Sequence, residues 1–141
     1  MTGPSRFFPS ALIAAGTCLL AGNVIRHSLR VWDDAYITFR FGERLAAGQG
    51  LVWNVGGERT EGYTSVLHVV IVAAARMVGV TAEALVIPLG VVCTLATAAV
   101  IARAVRVEFG RLTTLGAVPI AMYLADEVTA IHATSGLETP L

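Results

Sequence analysis

Two aspartates stand side by side at Asp33-Asp34, next to an apolar stretch. Adjacent carboxylates beside a membrane are costly unless they are solvated, paired or bound to a cation. Three uses fit such a pair. Like charges raise one of the two pKa values and poise that carboxylate as a general base. The pair can instead hold a divalent metal ion that neutralises a phosphate leaving group. Or the two residues cap a surface helix and face water. Spacing leaves all three open. Arg40 and Arg44 follow close behind, and guanidinium forks suit a lipid phosphate. Their competing use is pairing with Glu43 and contact with membrane headgroups. Further polar segments are Gly57-Glu58-Arg59-Thr60-Glu61-Gly62-Tyr63-Thr64-Ser65 and Ser135-Gly136-Leu137-Glu138-Thr139. His27, His68 and His132 show no metal-ligand spacing, and Cys18 and Cys93 lie in apolar runs as small hydrophobes.

The elements that must position these residues are set by apolarity. Hydrophobic residues make up 55% of the chain and charged residues only 14%, with a mean hydropathy of +0.71, where soluble domains carry about a quarter charged residues. The expected class is an all-α integral membrane protein, a single transmembrane module over residues 1–141. A net charge of zero excludes a nucleic-acid partner that depends on a basic surplus. The expected spans are 8–25, 82–105 and 112–125. The first has a secretory signal peptide as its rival, but further membrane segments follow it and nothing resembles a secreted domain.

Residues 26–81 form an outer loop with two interfacial amphipathic helices, 35–47 and 66–80. In the first, Ile37, Phe41 and Leu45 recur on one face and Gly48 ends the helix. Trp32 and Trp53 flank it as interfacial anchors, and Asn54-Val55-Gly56-Gly57 reads as a turn. Segment 66–80 is short for a crossing, carries Arg76, and decides the topology. If it stays on the surface, Arg103, Arg106 and Arg111 lie inside, as the positive-inside tendency prefers, and both acidic segments share the outer face. The arginines of the first loop pull against that orientation.

Taken together, Asp33 to Ser65 and Ala133-Thr134-Ser135-Gly136-Leu137-Glu138 resemble a family of actinobacterial-type GT-C membrane glycosyltransferases, which includes the terminal arabinofuranosyltransferases of the mycobacterial cell wall. The resemblance covers most of the chain from Asp33 onward. It implies the N-terminal part of a GT-C multi-span helical bundle in the cell membrane, with its active site facing the extracytoplasmic side. It also implies a polyprenyl-phosphate sugar donor, a cell-envelope glycan acceptor, and transfer of a sugar such as arabinofuranose. The family's catalytic acidic pair falls on Asp33 and Asp34, which would hold the divalent metal if one is used. Glu58, Arg59 and Glu61, with Thr64 and Ser65, are expected to shape the sugar and phosphate site. Ser135 and Glu138 would return near the acidic pair, and Arg40 and Arg44 would face the donor phosphate. His68 departs from the aromatic that relatives often carry there.

Family members are much longer, so residues 1–141 are expected to be a fragment, inactive alone, whose polar tail hangs without a following helix. The competing class is a non-catalytic small membrane protein, or a truncated remnant, whose acidic loop is merely solvated.

Overall fold

The computed structural model describes residues 8–28, 31–57 and 60–140. Six helices and no strand occur among the described residues: α1 (Phe8–His27), α2 (Ala35–Ala46), α3 (Val66–Met77), α4 (Ala82–Phe109), α5 (Thr114–Ala125) and α6 (Glu127–Thr134).

Two of them, α1 with 20 residues and α4 with 28, are long and apolar enough to cross a membrane. At 1.5 Å per residue α1 reaches about 30 Å, the thickness of the hydrocarbon layer. The expected third span differs from what is found. Helix α5 has 12 residues, roughly 18 Å of length, and stops at Asp126. There the chain bends by 52° into α6, and the bent pair passes as a single broken span. Asp126 makes the break: its backbone is extended, and its carboxylate accepts from the Thr129 N–H at 2.8 Å and so starts a new helix. Helix α3, also of 12 residues, is too short to cross.

Helices α1 and α5 lie side by side and point the same way. Gly16 faces Ala121 and Leu124, and further along His27 reaches Glu127 at 3.1 Å. Helix α4 runs antiparallel to α5 and packs on α5 and α6, with Gly90 against Ala133 near one end and Val105 against Gly116 near the other. Leu20, Ala98, Ile120, Leu124 and Ala130 form the core of this bundle. The outward side chains are aliphatic, among them Leu19, Val92, Val100 and Met122, as a lipid surround requires.

The α2–α3 pair forms a head at the α6 end of the bundle. Its core joins Ala35, Phe39 and Val72 to Ala82 and Val86 at the start of α4. Helix α2 ends as its sequence suggests: Gly48 has φ +72°, and the N–H groups of Gly48 and Gln49 bond back to Leu45 and Arg44. Arg103, Arg106 and Arg111 sit at the opposite end of α4.

Candidate functional site

Helix α2 begins without help from an aspartate side chain, which corrects the capping use of the pair. Asp34 already has helical dihedrals and makes no side-chain cap. The N–H groups of Ala35, Tyr36 and Ile37 bond instead to the carbonyls of Trp32, Asp33 and Asp34 at 3.0–3.1 Å. A tight backbone turn thus serves the donors a cap would serve, and the helix start does not use either exposed carboxylate. Three and four residues after Asp34 come Ile37 and Thr38, on the same helical face. All three line a cleft of about 300 Å³.

The second wall is the segment after α6. Ser135 is fully buried. Its hydroxyl donates to the His132 carbonyl at 2.9 Å and accepts from the Leu137 N–H at 3.2 Å. Its own carbonyl accepts from the Trp32 N–H at 2.9 Å, stitching the tail to the start of α2. Gly136 has φ +79°, and a Cβ there would come within 2.9 Å of Val31 and 3.1 Å of Ala35. Only glycine combines that backbone with that approach. The tail therefore does not hang; it is clamped, and it carries Leu137, Glu138 and Thr139 to the cleft.

The third wall is the stretch before α3. Gly62 lies on Ile37 and Phe41, and the Thr64 hydroxyl donates to Glu138 Oε1, tying this wall to the tail. Ser65 caps α3 by accepting from the His68 N–H at 3.3 Å.

Charge in the cleft is negative. The Thr64 hydroxyl, then a backbone hydrogen bond, holds the Glu138 carboxyl below its ordinary pKa and keeps it ionised. His68 is 1% exposed, with its ring edge-on to Phe39 at 6.5 Å. Burial lowers its pKa, against a smaller opposing pull from Glu138, so the imidazole is neutral at pH 7. Its Nδ1 has no hydrogen-bond partner among the described residues. Among the described residues none that lines the cleft is basic.

The sequence-derived candidates separate into groups. Asp34, Thr64 and Glu138 are brought together around the cleft. Ser65 and Ser135 adjoin it with their hydroxyls committed to the backbone. Asp33 and Glu61 are exposed and outside the cleft lining. Glu58 and Arg59 lie outside the described residues.

Arg40 and Arg44 are turned away from the cleft, toward the loop after α2. Arg40 Nε donates to the Trp53 carbonyl at 2.9 Å, its Nη2 donates to Asn54 Oδ1 at 2.7 Å, and its guanidinium lies 4.4 Å from the Trp53 ring centre. Arg44 donates to Gln49 Oε1 at 2.9 Å. Glu43 pairs with neither of them but with Arg76 of α3, at 3.7 Å. Among the described residues no group of three or more His, Cys, Asp or Glu side chains is placed to hold a metal ion.

The cleft also uses Ile37, Thr38, Gly62, Leu137 and Thr139, which motif reading passes over. Helical spacing from Asp34 was the available signal for Ile37 and Thr38; Gly62, Leu137 and Thr139 lay within or beside the motifs. No protein-family model, curated protein or solved structure matches the chain.

Proposed function

We propose that this chain forms the catalytic end of a GT-C-type membrane glycosyltransferase, which moves a sugar such as arabinofuranose from a polyprenyl phosphate to a cell-envelope glycan. One observation carries the reading. Asp34 and Glu138, from two of the motifs on which the family resemblance rests, line the same cleft at one end of an apolar helical bundle. The position of Arg103, Arg106 and Arg111 at the far end of α4 supports an extracytoplasmic cleft, by the preference of basic residues for the cytoplasmic side.

In this reading Asp34 is the general base. An acceptor hydroxyl oxygen forms a bond to the anomeric carbon of the donor sugar. The bond from that carbon to the phosphate oxygen breaks, the polyprenyl phosphate leaves with the electron pair, and the hydroxyl proton passes to the Asp34 carboxylate. Nothing in helix α2 competes for that carboxylate, because the backbone turn already serves the helix start.

The test is Asp34→Asn and Asp33→Asn in the complete gene product, assayed in membranes with a polyprenyl-phosphoryl arabinofuranose donor. Asn keeps the size and loses the charge. Asp34→Asn is expected to lower turnover about 100-fold or more at unchanged membrane content, with a smaller loss for Asp33→Asn. Near-parental turnover of Asp34→Asn would leave the acidic pair as a solvated turn and remove the mechanism.

A further inference from the structure

The cleft's chemistry is selective between the two substrates of such a transfer. Two carboxylates, Asp34 and Glu138, accept hydrogen bonds. The hydroxyls of Thr38 and Thr139 can donate and accept, and that of Thr64, already donating to Glu138, accepts. Ile37 and Leu137 add apolar surface, against which the C–H face of a sugar ring can lie. A phosphate here would be repelled by two negative groups. Among the described residues the arginines of α2 and α3 are engaged elsewhere: Arg40 with Trp53 and Asn54, Arg44 with Gln49, Arg76 with Glu43. A cleft of about 300 Å³ is at the small end of ligand sites, a size for sugar units rather than a polyprenyl chain.

We propose, resting on the transferase reading above, that this cleft seats the hydroxyls of the acceptor sugar and that the donor phosphate is held outside it. Thr64 then has two jobs. Its hydroxyl fixes Glu138, and the pair presents one hydrogen-bonding edge to a sugar hydroxyl opposite Asp34. The ionised state of Glu138 makes it an acceptor for O–H groups, which distinguishes a polyol from an anion.

The experiment uses the complete protein in lipid nanodiscs, with ¹³C-methyl threonine labelling and assignment by Thr38→Val, Thr64→Val and Thr139→Val. The probes are a linear pentofuranose trisaccharide, farnesyl phosphate and MgCl₂, each added alone. The trisaccharide is expected to shift the Thr38, Thr64 and Thr139 methyl resonances, and the other two probes are not. Shifts of the same resonances with farnesyl phosphate or with Mg²⁺, or none with the trisaccharide, overturn the proposal.

In the transfer assay, Thr64→Val should raise the acceptor KM about fivefold, the scale of one lost hydrogen bond, with the donor KM unchanged. A rise confined to the donor KM overturns it as well. Should the trisaccharide shift the resonances while no polyprenyl-phosphoryl sugar supports transfer, the transferase reading fails and the cleft remains a sugar site.

Discussion

The bundle and the head that sits on it are held together by different means. In the bundle, helices meet through small residues: a Cβ on Gly16 would come within 2.8 Å of the Ala121 carbonyl oxygen, and Gly90 lies directly on the backbone of Ala133. In the head, α2 and α3 also meet at a glycine, Gly42 against Val72, but large rings interlock beside that contact. Phe41 is fully buried, with ring centres 4.9 Å from Tyr63 and 5.9 Å from Trp53. The difference follows from the surroundings. Lipid tails are as apolar as a helix interface, so helices gain from close backbone approach rather than from hiding leucines. Beside water, removing an aromatic ring from solvent is itself the driving force.

The largest expected effect that separates the two regions is Phe41→Ala, at about 3–5 kcal/mol for a buried ring. It should lower the thermal midpoint of the Trp53 fluorescence transition while the helical circular-dichroism transition of the bundle holds. If both midpoints fall together, the two regions form one cooperative unit. The converse is Gly16→Val, which overpacks the α1–α5 contact at about 1–3 kcal/mol. That variant should lower the helical transition and leave the Trp53 transition in place.

Acid provides a third separation. His68 has a lowered pKa in the folded head, so its unfolded form takes up protons first as pH falls below about 6.5. Glu138 is also lowered, and its contribution is present above the unfolded carboxylate pKa and fades as pH drops through the folded one. Both shifts therefore make the head less stable in acid. The Trp53 transition should begin to fall near neutral pH and continue into the carboxylate range. His68→Phe should flatten the upper part and Thr64→Val the lower part, and a wild-type profile flat over both intervals would contradict the sign. The smallest effect is that of Arg76→Gln, since the Glu43–Arg76 pair is half exposed. Its cost should stay under about 1 kcal/mol in the Trp53 melt, and more would mean that α3 depends on this pair for its place.

Local signals were legible where physics is local. The end of α2 was readable from Gly48, and α1 and α4 from the length of their apolar runs. Apolarity alone ends the third membrane segment at Ala125, because hydropathy does not register Asp126-x-x-Thr129 as a helix start. For the site, residue types and motifs pointed to Asp34 and Glu138, but not to the bond between Thr64 and Glu138. Those residues are 74 apart, and no local pattern encodes a contact at that range. Arg40 is the opposite case. Its charge suggested phosphate, and in the structure its guanidinium lies over the Trp53 ring, 13 residues on, and donates to the Trp53 backbone carbonyl.

The clamp of Ser135 and Gly136 on the start of α2 has a consequence for biosynthesis. Trp32 receives its partner carbonyl, and Val31, Ala35 and Phe39 their cover, only after almost the whole of the described chain has been translated. Until then α2 and α3 can pair with each other but present a bare apolar face at the membrane surface. The cleft thus comes into being only once α6 has delivered the tail. A ribosome stalled before Ser135 would leave a membrane-inserted chain with no site.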